Sequence, residues 1–269
     1  MRNVFFNAVG VCAMLSLMAS CSSTEDIPMN NDGYGTVSLN ILTDTQFESR
    51  AVDESAYSNL DNYTVQILKD GKVVSGMEWK YADIPEEVIE LTNGGYELKA
   101  FYGEDKAAST TGMYVEGIKT FNVNSDQSQV EVTCQPVCAR VKVEFDTKMA
   151  EYYQDYSVAF HTLAIANENA DLDASFVWTK TNTDPVYLKV SQKESVKAVI
   201  TLVDKKSKTT TIDKSYELSP NEALKMKIVP TVSQGNLGIV IDVDETTNDI
   251  PVDIEIPSEW IDEQQSETK

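Results

Sequence analysis

Residues 36–42 read TVSLNIL, with Val37, Leu39 and Ile41 alternating with polar neighbours. Successive strand side chains point to opposite faces, so this period of two puts three aliphatics on a core and leaves the other face to water. The same alternation recurs along the chain. It appears in NYTVQIL (Tyr63, Val65, Ile67), YELKAFY (Tyr96, Leu98, Ala100, Tyr102) and RVKVEF (Val141, Val143, Phe145). It returns in SVKAVITLV (Val196, Ala198, Ile200, Leu202) and in NLGIVIDVD (Leu237, Ile239, Ile241, Val243). Asp70-Gly71 is a hairpin turn signal, and Asn93-Gly94-Gly95 breaks VIEL from YELKAFY. One short helix is predicted over Thr147 to Tyr153, with Asp146 placed to cap it. The chain reads as all-β with minor short helices.

A faint repeat relates FNVNSDQSQVEVTC (121–134) to YELSPNEALKMKIV (216–229). Each has an aromatic, an apolar residue two positions on, a polar turn and an alternating strand, the layout of a hairpin that closes a sandwich. The first copy ends near Cys134 and a new strand set opens at Arg140. The reading therefore divides the chain into an N-terminal β-sandwich domain, 36–138, and a C-terminal one, 139–269.

The N-terminus has another character. A lone Arg2, an almost uncharged apolar run from Val4 to Met18 and small residues Ala19 and Ser20 lead into Cys21 and the polar SSTED. This is the pattern of a secretory signal, 1–20, ending at a lipid-attachment cysteine, with 21–35 as a lipidated linker. The run is shorter than the roughly 20 residues a spanning helix needs, so acyl chains on Cys21 are the expected hold on a membrane. With Cys12 in the signal and Cys21 acylated, Cys134 and Cys138 remain. Residues four apart on a straight strand are about 13 Å distant, beyond disulfide reach unless the chain turns sharply at Pro136. Two small half-buried thiols are expected.

The formal net charge of −21 repels nucleic acid and anionic lipid headgroups, so no nucleic-acid partner is expected. Catalytic constellations are thin. His161 is the only histidine, and its parity sets it opposite Val158 and Phe160 on a strand surface. No second CxxC or histidine completes a metal site around CQPVC, and no phosphate-cradling glycine loop is present. Asp242, Asp244, Glu245, Asp249, Asp253 and Glu255 alternate with aliphatics and lack a calcium-loop glycine, which fits a solvated strand face. The reading is of a protein without catalytic residues, metal or cofactor. Trp79, Trp178 and Trp260 are candidates for a sugar-stacking platform, or for ordinary core and edge positions. Asn62-Tyr63-Thr64 matches a glycosylation sequon, a coincidence beside a bacterial type of lipoprotein signal.

The order of Cys21, polar linker, TVSLNIL, the Ser49-Arg50-Ala51 loop, NYTVQILKDG, LTNGGYELKAFY and a linking strand into RVKVEF resembles the fimbrillin-like lipoproteins. These are type V pilus subunits and related cell-adhesion proteins of the outer membrane. The resemblance implies two tandem transthyretin-like Greek-key β-sandwiches. It implies a surface-exposed, lipid-anchored precursor at the cell outer membrane, which becomes part of a fimbrium. Its partners would be other fimbrial subunits and a host or bacterial surface ligand. In that family an arginine-specific protease removes the first strand, and a donor strand from another subunit fills the groove. Of the three arginines here, Arg2 leaves with the signal and Arg140 falls in a predicted strand, so the Arg50–Ala51 bond is the expected cut. The exchangeable strand is then 36–42, with Val37, Leu39 and Ile41. Two C-terminal runs have matching alternation as candidate donors: Leu237, Ile239, Ile241, Val243, and Ile250, Val252, Ile254, Ile256. This reading expects an N-terminal strand at a domain edge. The alternative is a lipid-anchored surface glycan-binding protein.

Overall fold

The computed structural model describes residues 33–45, 47, 55–124, 126–233, 236–243 and 252–253. The first half contributes β1 (Tyr34–Thr43), α1 (Ser55–Ser58), β2 (Thr64–Lys69), β3 (Lys72–Lys80), β4 (Ile89–Thr92), β5 (Gly94–Tyr102), β6 (Ala108–Ser109), β7 (Val115–Val123) and β8 (Gln127–Pro136). The second contributes β9 (Cys138–Phe145), α2 (Met149–Tyr152), β10 (Tyr153–His161), α3 (Leu163–Asn169), β11 (Phe176–Thr179), β12 (Val186–Lys189), β13 (Glu194–Asp204), β14 (Thr209–Leu218), β15 (Ala223–Ser233), β16 (Asn236–Val243) and β17 (Val252–Asp253).

The protein is an all-β chain built as two sandwiches. In the first, strands run β3-β2-β5-β7-β8-β1-β4, and the sheet folds over where β7 meets β8 at only Val115↔Pro136 and Glu116↔Gln135. The core between its two layers holds Val37, Ile41, Tyr63, Val65, Ile67, Leu98, Val130 and Val132. In the second, β11-β10-β13-β14 faces β17-β16-β15-β9-β12-β6 across a core around Val143, Phe160, Trp178, Ile200, Met226 and Ile241. Each sandwich pairs its leading strand in parallel with a late one, β1 with β8 and β9 with β15.

Local chemistry explains most of these elements. Asp70 and Gly71 both take positive φ, 52° and 73°, the conformation a tight two-residue hairpin demands, and β2 and β3 pair across them. Thr162 caps α3 by accepting the Ile165 N–H at 3.2 Å. Asp146 does not cap α2 as expected, because the helix starts later, with Lys148 at its N-cap and no side-chain cap; Asp146 closes the preceding turn, its carbonyl accepting the Met149 N–H and its carboxylate the Lys148 N–H. Helix α2 is shorter than the predicted Thr147–Tyr153, because Tyr153 already begins β10.

The repeat expected to form two closing hairpins forms neither. Segments 121–134 and 216–229 carry the chain from one layer to the other: β14 and β15 belong to different sheets, and β7 meets β8 only at the far end of both strands. A polar turn between two alternating strands is equally suited to a layer crossing, since each strand still needs one buried face.

The halves are sewn together. Strand β6, from the first half in sequence, pairs with β12 of the second, and the Ala107 carbonyl accepts the Lys189 N–H at 2.9 Å. Lys189 Nζ reaches both carboxylate oxygens of Asp105, at 2.6 and 2.8 Å.

Candidate assembly groove

Strand β1 lies along β8 for eight residue pairs, from Thr36↔Gln127 to Thr43↔Cys134. Its other side is covered only at the start, where Tyr34–Val37 pair with the short β4. It is therefore second from the sheet edge, not outermost as the sequence reading expects. The difference comes from VIEL, whose few residues fold back onto the first turn of pairing instead of joining the β2–β5 layer. Beyond Val37 the outer side of β1 carries no strand among the described residues.

Val37 and Ile41 are fully buried, whereas Leu39 is half-buried against the same core. Gly35 is sterically required, because a Cβ built there would land on the Asn124 carbonyl oxygen of the β7–β8 turn. Asn40 Nδ2 donates to Glu131 at 2.7 Å on the solvent face, and the Asp44 N–H donates to the Cys134 carbonyl at 2.9 Å.

After β1 the chain turns into the junction between the sandwiches. Thr45 and Phe47 are buried, at 3% and 5% exposure. The Phe47 ring sits 5.2 Å from Arg140 Cζ and 6.0 Å from the Tyr187 ring, both on second-half strands. Arg140 is only 2% exposed, so it is closed to a protease. The chain is anchored again at Tyr57. Tyr57 Oη accepts the Met113 N–H at 3.0 Å, Tyr63 Oη donates to the Tyr57 carbonyl at 2.7 Å, and the Tyr57 and Tyr102 rings lie 5.1 Å apart. Burial raises the Tyr63 phenol well above its ordinary range and pushes the Cys134 thiol up to about 12.

The remaining sequence-predicted positions fall as follows. Cys21, Arg50, Ala51, Ile250, Ile254 and Ile256 lie outside the described residues, as does Trp260. Ile239, Ile241 and Val243 are buried in the core of their own sandwich, with Leu237 half-buried, because β16 pairs with β15 over eight residue pairs. Val252 is in β17, held by two pairs, Val252↔Ile241 and Asp253↔Val240. Cys134 and Cys138 form no disulfide and are buried outright, not half-buried, since both belong to the first core, where Cys134 Sγ donates to the Ala100 carbonyl at 3.5 Å.

His161 Nδ1 bonds the Ala174 carbonyl at 3.1 Å, a structural role. Trp178 is fully buried and cannot stack on a sugar, and Trp79 packs half-buried against the first core. Among the described residues no group of three His, Cys, Asp or Glu could hold a metal, and no helix is long and apolar enough to cross a membrane. A cleft of about 420 Å³ opens at the junction beside α3. Three of its polar side chains are engaged: Lys189 pairs with Asp105, and Glu194 accepts the Leu163 and Ser191 N–H groups at 2.7 Å each.

The burial of Thr45 and Phe47 is what sequence reasoning missed, since both sit in the polar run TDTQFESRAVDES. A single aromatic in such a run was the available signal.

Among solved structures the chain is similar to a fimbrial assembly protein from Parabacteroides distasonis, at 14% identity and TM-score 0.38, over 80% of this chain and 97% of that one. It is similar to a "putative adhesin" from Bacteroides ovatus, at 10% identity and TM-score 0.45, over 78% and 95%. A third, "putative polysaccharide binding proteins" from Bacteroides thetaiotaomicron, aligns at 13% identity and TM-score 0.42, over 78% and 96%. A search of curated sequences gives no match. A family model described as a domain of unknown function, DUF4493, matches residues 33–258, nearly all of both sandwiches, and the chain belongs to that family.

Proposed function

We propose that the protein is a structural and adhesive subunit of a cell-surface fimbria, exported as a lipoprotein on Cys21 and assembled by donor-strand exchange after a cut at Arg50–Ala51. Its domains are the sandwiches 36–138 and 139–269, and it works without catalytic residues or a cofactor. The observation that carries the reading is the setting of β1. It has one full-length neighbour, β8, and a second, β4, over four residues only.

Taking β1 away unpairs β8 on that side and opens a slot where Val37, Leu39 and Ile41 sat. At about 1.5–3 kcal/mol per fully buried aliphatic side chain, the empty slot is costly, and a strand of matching alternation restores the loss. The remaining domain keeps its own anchor at Tyr57, so it does not depend on β1 for the path of the next strand. Between the two candidate donors, the core position of β16 favours the run Ile250, Val252, Ile254, Ile256. The glycan-binding alternative loses Trp178 to the core and is not favoured.

The test treats the purified full chain with an arginine-specific protease and follows size. One cut after Arg50 followed by a ladder of multimers supports the reading. A chain that is cut and stays monomeric, or that resists cutting, removes it.

A further inference from the structure

The cleft at the junction beside α3 holds two carboxylates and no cation for either. Part of its lining is apolar: Val190 is buried, Ala164 is half-buried, and Leu163 stands 59% exposed. Glu194 is in the same lining at 7% exposure, and its two oxygens each accept one backbone N–H, from Leu163 and from Ser191. Glu168 is exposed on α3, one turn beyond Ala164. Among the described residues no lysine or arginine pairs with either carboxylate, and the lysine of the cleft, Lys189, is committed to Asp105.

These features converge on one ligand chemistry. Two N–H bonds stabilise the charge of Glu194 without neutralising it, so a cation entering the cleft meets an anion that the fold has already taken out of water. A bare cation would leave Leu163 and Ala164 facing solvent. Lysine and arginine carry an aliphatic stem behind the charged head, and such a stem covers them. Leu163, Ala164, Asn167 and Glu168 share one face of α3, so the stem contacts and the rim carboxylate come from a single surface. We infer that the junction cleft binds a lysine or arginine side chain from a peptide segment of a partner protein, with the head at Glu194 and Glu168 and the stem on Leu163 and Ala164.

Size and setting agree with this occupant. A volume of about 420 Å³ falls in the lower part of the range of about 300–1,000 Å³ usual for ligand pockets, and such pockets favour domain interfaces. No aromatic ring of the described residues lines the cleft, which disfavours a sugar stacked on its flat face. Glu194 has a structural task as well, since its bonds hold the start of α3 and the turn before β13. That task takes one acceptor site on each oxygen and leaves the others to a ligand. The net charge of −21 draws cations to the whole surface, so the claim is about place and is tested as such. It requires neither cleavage nor strand exchange.

The experiment titrates the uncut full chain with the peptide acetyl-Ala-Ala-Arg-Ala-Ala-amide and with its citrulline analogue, which keeps the shape and removes the charge. Amide nitrogen–proton correlation spectra are the readout, because the Leu163 and Ser191 N–H groups bond Glu194 directly. Both amides are expected to shift with the arginine peptide at a Kd of about 1 mM or tighter, and the citrulline peptide to bind about tenfold more weakly. Glu168→Gln and Leu163→Ala, both at exposed positions, are each expected to weaken binding about fivefold. Glu86→Gln, an equal loss of charge in an exposed loop of the first sandwich, is expected to leave it unchanged. Shifts scattered over acidic positions, with Glu86→Gln as harmful as Glu168→Gln, show a diffuse counter-ion effect and overturn the site. Equal affinity for the citrulline peptide overturns the cationic assignment. Absence of a shift at Leu163 and Ser191 overturns the inference outright.

Discussion

Phe47 and Arg140 meet face to cation across the junction of the two sandwiches, with the Arg140 Cζ 5.2 Å from the ring centre and both side chains almost fully buried. The contact ties the segment that follows β1 to the first strand of the second sandwich. The leading segment is therefore held at two places, along β8 and at this seat.

Phe47→Ala removes a buried ring and strips one wall from a buried guanidinium. The expected cost is about 3 kcal/mol, within the range for deleting a core aromatic. Urea unfolding of the full chain measures it, with a loss below about 1 kcal/mol contradicting a structural hold at this seat. The same variant should also lose protection of the β1 amides in hydrogen exchange.

A second tie across the junction should matter far less. Lys189 and Asp105 form a close pair, but their side chains remain 40% and 48% exposed. Water and salt screen such a pair, so Lys189→Ala is expected to cost under about 1 kcal/mol. Comparing its urea midpoint with that of Phe47→Ala ranks the two contacts directly.

Gly35→Ala tests how tightly β1 is seated. The added methyl meets the Asn124 carbonyl, which belongs to backbone and cannot swing aside. Overpacking of this kind costs about 1–3 kcal/mol. The loss should appear as faster hydrogen exchange in β1 and β4 while β10 to β15 keep wild-type protection; uniform loss across both sandwiches would contradict a local seat.

The buried Cys134 thiol gives a pH prediction. Burial raises it from an ordinary 9.0 to about 12 in the folded chain, so the unfolded chain gives up this proton first as pH rises. Folding then favours the protonated form, and stability is fully present below pH 9 and falls between pH 9 and 12. Tyr153, raised by burial from 10.0 to about 12, adds to the fall above pH 10. Urea midpoints at pH 8 and 10.5 should decline in the wild type and decline less in Cys134→Ala. The native thiol should also resist maleimide at pH 8, and rapid labelling would show that it is not buried.

Much of this architecture is legible in the chain because it is local. The alternation at Val37, Leu39 and Ile41, at Val65 and Ile67 and at Ile200 and Leu202 marks strands whose inward faces are the buried ones. Asp70-Gly71 marks its hairpin for the same reason: the required positive φ is a property of two residues. What escapes is set by distant partners. Phe47 stands in a polar run, and its burial depends on Arg140 and Tyr187, far along the sequence. The place of β1 one strand in from the edge depends on VIEL folding back onto it. Helix α3 is missed because LAIANEN is a short run whose only start signal is Thr162. Of the groove, the track residues are readable from the period of two, while the aromatic seat needs coordinates.

The central claim is that β1 must leave its place beside β8 before subunits join. Ser38 and Gln129 are paired neighbours on β1 and β8, so Ser38→Cys with Gln129→Cys ties the two strands on their solvent side. The full chain carrying this pair is cleaved by arginine-specific protease under oxidising conditions, then reduced, with size followed throughout. The account predicts a monomer that keeps its N-terminal fragment while oxidised and a ladder that grows on reduction. Equal ladders with the strands still cross-linked would contradict it.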